Sequence, residues 1–194
     1  MAWLAVLSAV VGLIGYVPYV RDLCRPSDTK PDPILWGIWA LEYTSLVAAQ
    51  AHEAAGLALF LPASQLAGVA IVLALSLRRG ALSITRQKVL LLVCVLAALS
   101  WWWLASSAVV AILLLIAVEN SAVVATIFKV WEEPHSENLA MWGSACAAGF
   151  MGTLALGFEA QIVLYAYPAS LALMTGTVTG VALARRRSLV ATGA

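Results

Sequence analysis

The chain repeats itself. Trp36-Gly37, Glu53-Ala54 and Pro62-Ala63-Ser64 return as Trp142-Gly143, Glu159-Ala160 and Pro168-Ala169-Ser170, each displaced by 106 residues with no gap. Laying residues 17–79 over 123–185 gives 12 identities in 63 positions, where about five would arise by chance in so Ala/Leu/Val-rich a sequence. Each copy holds three apolar stretches and a seventh lies between them. The displacement therefore equals four crossings of a bilayer, and the two copies share one orientation, a parallel repeat.

Hydrophobic residues make up 63% of the 194 and charged ones 11%, against roughly 25% charged in a soluble domain. That composition specifies an integral membrane protein. The apolar stretches run near 3–20, 33–50, 55–77, 87–104, 107–128, 138–157 and 161–184, each close to the ~20 residues that a membrane helix needs. The expected fold is all-α: seven transmembrane helices forming two parallel three-helix bundles joined by a linker helix. Its parts are a first repeat over 1–79, linker helix 4 over 80–106, a second repeat over 107–187 and a cytoplasmic tail over 188–194. So little chain is left between the helices that function must reside in them and in their short loops.

All 11 Lys and Arg residues fall after the first, third, fifth and seventh stretches: Arg21, Arg25, Lys30; Arg78, Arg79, Arg86, Lys88; Lys129; and Arg185, Arg186, Arg187. The positive-inside rule then places the N-terminus outside and the C-terminus in the cytoplasm of a cell whose plasma (inner) membrane holds the protein. The first stretch is not read as a signal peptide, because its positive charges follow the apolar run instead of preceding it. Trp3, Trp101, Trp102 and Trp103 fall at the outer boundary and Trp36, Trp131 and Trp142 near the inner one, positions that for most of them read as anchoring in the lipid interface. Three cysteines without CxxC spacing give no disulfide framework. Glu132, Glu133, His135 and Glu137 crowd one inner loop and read as a solvated loop. No metal and no cofactor is expected.

Ionisable side chains inside the hydrocarbon are costly and mark functional sites. Two stand out. Glu42 lies nine residues after Pro33 and Glu119 ten before Lys129, so at ~1.5 Å per residue both sit ~14–15 Å from the cytoplasmic boundary, near the midplane. Trp39, Glu42, Tyr43, Leu46 and Gln50 share one face of helix 2, and Glu119, Asn120, Val123 and Thr126 form an arc on helix 5. No Lys or Arg lies at that depth to pair with either glutamate. Three readings stay open: a proton-coupling site in which the two carboxylates share a proton, a pocket for a cationic or hydroxyl-rich substrate, and glutamates that hydrogen-bond neighbouring helices. Neither glutamate is repeated, since Glu42 aligns with Ala148 and Glu119 with Leu13. Helix 6 presents Trp142, Cys146, Gly149 and Thr153 together, and Gly176 and Gly180 of helix 7 read as a close-packing pair.

The three-plus-one-plus-three helix count, Pro18-Tyr19 near the inner end of helix 1, the basic stretch from Arg21 to Lys30 and Trp36 opening helix 2 together resemble the SWEET and PQ-loop transporter superfamily. Pro18 stands where that superfamily carries its Pro-Gln dipeptide, with Tyr19 in place of the glutamine; the second copy has Val124 there. The resemblance implies alternating access, a path lined by helices 1, 2, 5 and 6, and hinges at prolines, for which Pro18, Pro62 and Pro168 are the candidates. It implies a sugar first and an amino acid or nucleoside-like solute next, with Trp39 and Trp142 stacking on the sugar or ring.

The expected function is a membrane transporter for a small polar solute, with Trp39, Glu42, Tyr43, Glu119, Asn120, Trp142 and Cys146 as substrate-binding residues and Glu42 and Glu119 coupling protons. Its partners are that solute and membrane lipid, with no nucleic acid; assembly into a homo-oligomer stays open. An enzyme is not expected, since no HExxH, intramembrane aspartate pair or Ser/His pair occurs. A retinal protein would need a lysine in the last helix, which has none. The alternative is a non-transporting seven-helix receptor or assembly protein with a SWEET-like fold.

Overall fold

The computed structural model describes residues 2–26, 31–52, 56–79, 84–105, 107–158 and 160–192. Among them are seven α-helices and no strand: α1 (Ala2–Leu23), α2 (Pro33–His52), α3 (Phe60–Arg79), α4 (Arg86–Ala105), α5 (Ala108–Glu132), α6 (Leu139–Ala155) and α7 (Ile162–Thr192), with a 3-10 turn at Gly56–Leu59 leading into α3. Each apolar stretch became one helix. Glu53, Ala54, Glu159 and Lys30 lie outside the described residues. The largest departure in length is α7, which continues through much of the expected tail. Its residues after Arg187 include Leu189 and Ala191, strong helix formers, with no glycine or proline before Gly193. At the other extreme α6 stops early, because Gly157 takes a φ of 70° and turns the chain out of the helix.

Four helical spans, Ala2–Leu23, Gly56–Arg78, Val109–Glu132 and Ile162–Ala191, are long and apolar enough to cross a membrane. Two more apolar helices, Lys88–Leu104 and Leu139–Ala155, are shorter. In α2 the tryptophans, Glu42, Tyr43 and Gln50 dilute the apolar content. Outward faces are greasy: on α4, Leu90, Val93, Leu96 and Leu104 are exposed while Leu91, Val95 and Ala98 are buried, so one face packs on α2 and α5 and the other needs an apolar surrounding.

The helix starts keep the spacing of the repeat. α2 and α6 begin 106 residues apart, as do α1 and α5, and the 3-10 turn before α3 and the first residue of α7. The caps correspond as well. Asp32 Oδ1 accepts from the backbone N–H of Ile34 (3.1 Å) and Leu35 (3.3 Å); its counterpart Asn138 accepts from Met141 (3.1 Å). Both are favoured N-cap residues, and Pro33 fits the first helical position because its missing N–H would be unpaired there anyway.

α3 packs on α1 and α2, α7 packs on α5 and α6, and the two sets meet through α1 on α6 and α2 on α5. This pattern maps onto itself under the 106-residue displacement. α4 touches only α5 and α2 to any extent. The candidate hinge prolines have unlike settings. Pro18 and Pro168 lie inside α1 and α7, whereas Pro62 is in the first turn of α3, where the lack of an N–H costs no hydrogen bond.

The expected Gly176–Gly180 packing pair is only half used. A Cβ on Gly176 would sit 3.0 Å from Cys146 Sγ, but one on Gly180 would meet nothing within 4 Å. The close approach of α6 to α7 is at Gly149, where a Cβ would lie 2.6 Å from the Ala172 nitrogen and 2.7 Å from the Pro168 oxygen. Backbone atoms cannot rotate away as side chains can. Gly149→Ala should therefore destabilise the protein by about 1–3 kcal/mol and lower its unfolding midpoint in detergent, while Gly180→Ala leaves the midpoint unchanged. Equal midpoints for the two variants would contradict the packing.

Candidate functional site

Two hydrogen bonds between helices frame one cavity. The Tyr43 hydroxyl on α2 donates to Glu119 Oε1 on α5 at 2.5 Å, and the Tyr16 hydroxyl on α1 donates to Gln65 Oε1 on α3 at 2.8 Å. All four residues line a cavity of about 40 Å³, room for roughly three waters. Trp36, Trp39 and Trp142 close it toward one face, with Met141, Val123 and Thr175 completing that part of the wall. The rings form a chain: Tyr19 to Trp36 at 5.4 Å between centroids, Trp36 to Trp39 at 5.1 Å and Trp39 to Trp142 at 6.4 Å, all tilted or edge-on as aromatic quadrupoles prefer. On the other side Tyr43 meets the Tyr167 ring edge-on at 6.0 Å.

The lining residues of α2 and α6 lie from the first turns to mid-helix and those of α1 and α5 from mid-helix toward the C-terminal ends. The cavity thus sits toward the face where the basic residues gather, and that face is tied together. The Asn138 amide donates to Asp22 Oδ2 at 2.5 Å, joining α6 to the end of α1. Lys88 pairs with Asp32, joining α4 to the cap of α2. Glu137 is the hub of the rest: it accepts from Lys129 Nζ (2.7 Å) and from Trp142 Nε1 (3.1 Å), and its carbonyl, like that of Pro134, accepts from the Arg186 guanidinium (2.9 and 2.8 Å). Arg185 lies 4.8 Å over the Trp131 ring.

Of the residues expected to bind substrate, Trp39, Tyr43, Glu119 and Trp142 line the cavity, and Glu42, Asn120 and Cys146 do not. Each of these three is the chain neighbour of a lining residue, so a turn of about 100° along the helix points it elsewhere. Asn120 Oδ1 accepts from Ser170 Oγ at 2.7 Å and so ties α5 to α7. Cys146 packs on Gly176. Glu42 is fully buried, and neither carboxylate oxygen has a hydrogen-bond partner among the described residues.

Trp36 and Trp142, two of the tryptophans near the inner boundary, are 4% and 5% exposed and wall the cavity, so neither is one of those that anchor in lipid. One expectation is corrected. Glu137 is not part of a solvated loop, being 7% exposed and bonded to Lys129 and Trp142. Its carboxylate satisfies an indole N–H that burial would otherwise leave unpaired.

Tyr16, Gln65 and Thr175 also line the cavity, and none of them carries a charge that marks it in the sequence. Gln65 carried the available signal: an amide immediately after the repeated Pro-Ala-Ser, absent from the second copy, where Leu171 stands. No protein-family model, curated protein or solved structure matches this chain.

Proposed function

We propose that the protein is a carrier that spans the membrane seven times and moves a small polar solute by alternating access. The units α1–α3 and α5–α7 act as two parallel three-helix bundles that rock about the cavity, and α4 links them. The observation that carries this reading is a buried carboxylate, Glu119, that lines an aromatic cavity where the two halves meet. The wall there draws Tyr16 from α1, Tyr43 from α2, Glu119 from α5 and Trp142 from α6, the four helices that line the path in the SWEET and PQ-loop superfamily the sequence resembles, and adds Gln65 and Val69 from α3 and Leu171 and Thr175 from α7. The repeat, the shared spacing of helix starts and the packing pattern that maps onto itself support two equivalent units. The cluster of basic residues at one face supports a cytoplasmic C-terminus.

At about 40 Å³ the cavity is far below the 300–1,000 Å³ typical of ligand pockets, so solute passes only as the rings part, which is what rocking bundles provide. The test is uptake into liposomes by the purified protein, with sugars, amino acids, nucleosides and amines, each with and without a pH gradient. Saturable uptake of one class, absent from empty liposomes, is the expected result. No flux for any class, with retained ligand binding, would overturn the carrier reading in favour of a receptor of the same fold.

A further inference from the structure

The free polar groups of the cavity are few, and their kind restricts what can be held there. The Tyr43 hydroxyl is committed to Glu119 and the Tyr16 hydroxyl to Gln65. Trp142 Nε1 is committed to Glu137, and the Thr175 hydroxyl donates to the carbonyl of Leu171 at 2.6 Å. Two lining atoms remain buried without a hydrogen-bond partner among the described residues: Glu119 Oε2 and Gln65 Nε2. Glu119 is 3% exposed and Gln65 1%. No Lys, Arg or His is among the lining residues.

A sugar presents hydroxyls around its whole ring and loses affinity wherever one is buried unpaired. Gln65 Nε2 and Glu119 Oε2 are the unpartnered buried polar atoms of a wall that is otherwise aromatic and apolar, and even with the acceptor lone pairs left on the Tyr and Thr hydroxyls most of such a ring's hydroxyls go unmatched. An amino acid brings a carboxylate that finds no cation here, and burying an unpaired charge is strongly unfavourable. A compact ammonium group meets neither objection. Its charge is opposed by the Glu119 carboxylate, its N–H bonds have Glu119 Oε2 to accept them, and the faces of Trp39, Trp142 and Tyr43 attract a cation through the ring quadrupole.

Resting on the carrier reading, we infer that the substrate is a small organic monocation, an amine or alkylammonium without a carboxylate, held by Glu119 within the box of Trp39, Trp142 and Tyr43. Gln65 takes the role of donor to a single oxygen or other acceptor on the same molecule. The aromatic walls supply the selectivity for an organic cation over a hydrated metal ion, whose water shell the rings cannot replace.

Binding separates this inference from the carrier reading, because it needs no flux. The purified full chain in detergent would be titrated with n-butylammonium, with 4-aminobutyrate, which adds only the carboxylate, with glucose and with sodium, reading tryptophan emission and calorimetric heat. n-Butylammonium should bind saturably and about tenfold or more tighter than the other three, the margin that one unmatched buried polar group produces. Glu119→Gln should weaken it roughly 10- to 100-fold, as loss of a hydrogen bond to a charged partner does. Trp142→Leu, which keeps the carboxylate, should weaken it by roughly 2- to 30-fold through lost cation–π attraction. If Glu119→Gln does not fold, Trp142→Leu and the four-ligand comparison still decide. Equal or tighter binding of glucose, 4-aminobutyrate or sodium, no binding of n-butylammonium, or indifference of its affinity to these substitutions would each overturn the inference. Glu119-dependent binding without flux in liposomes would sustain it and defeat the carrier reading instead; glucose flux without n-butylammonium binding would do the reverse.

Discussion

Glu42→Gln should abolish solute accumulation driven by a pH gradient yet leave exchange of solute across the membrane largely intact, while Glu119→Gln should weaken both. The two carboxylates share a depth but not a setting. Glu119 lines the cavity and is fixed by the Tyr43 hydroxyl at 2.5 Å, where the solute of the proposed carrier would meet it directly. Glu42 is fully buried behind Tyr43, off the cavity wall, with both oxygens unpartnered among the described residues. A lone charge there costs several kcal/mol unless a cation or proton accompanies it, and Glu42 is not among the residues that line the cavity. A proton is the companion that fits. Glutamine preserves size and hydrogen-bonding capacity at both sites while removing the charge. For Glu119→Gln, accumulation and exchange should fall together by roughly 10- to 100-fold, the loss of one charged hydrogen bond. The measurement is paired accumulation and counterflow in proteoliposomes with an imposed pH gradient. Indistinguishable profiles for the two variants would refute the division of labour. Normal transport with lowered thermal stability in both would make the glutamates ties between helices.

What the sequence made legible was position along each helix. The periodic apolar stretches gave the seven helices, and Glu42 and Glu119 could be assigned a depth by counting from Pro33 and Lys129. Direction around each helix was harder, because a helix packed on several sides has no single polar face to mark its inside. α2 is apolar or aromatic nearly all round, and the step from Glu42 to Tyr43 is the difference between a sealed carboxylate and a cavity wall. The same one-residue ambiguity holds for Asn120 beside Glu119 and Cys146 beside Ala145, where only the neighbour lines the cavity. Tryptophan was misleading for another reason. An indole near a helix end suits either the lipid interface or a buried ring cluster, and only partners decide: Trp131 stays 56% exposed under Arg185, while Trp142 is held inward by Glu137. Glu137 itself was hidden by its neighbours, since Glu132, Glu133 and His135 make its loop look solvated. The spacing from Glu137 to Trp142, just over one helical turn across the Asn138 cap, was the signal that could have joined them.

That joint leads to the second large effect. Glu137→Ala should open the cavity toward the basic face. Three elements converge on this residue: Lys129 at the end of α5, Trp142 in the cavity wall and Arg186 near the end of α7. Removing the carboxylate leaves the indole N–H of Trp142 without its acceptor and deletes the ion pair to Lys129, while the carbonyl contact to Arg186 survives. Because the Lys129 side chain is 34% exposed, water screens the ion pair and its own contribution is modest. The buried indole bond and the loosened ring stack matter more. A bias of ~1.4 kcal/mol toward the open arrangement changes its population about tenfold. The readout is a cysteine at a lining position, Ala145→Cys, in a protein whose Cys24, Cys94 and Cys146 have been replaced. Labelling by an impermeant maleimide from the side of the basic face should accelerate about tenfold when Glu137→Ala is added, and labelling from the opposite side should not. Trp142→Phe should reproduce part of the effect, since it removes the same hydrogen bond and leaves a ring in place. If Glu137→Ala lowers the unfolding midpoint but leaves labelling from either side unchanged, the network only braces the loop between α5 and α6, and the closure of the cavity depends on the tryptophan rings alone.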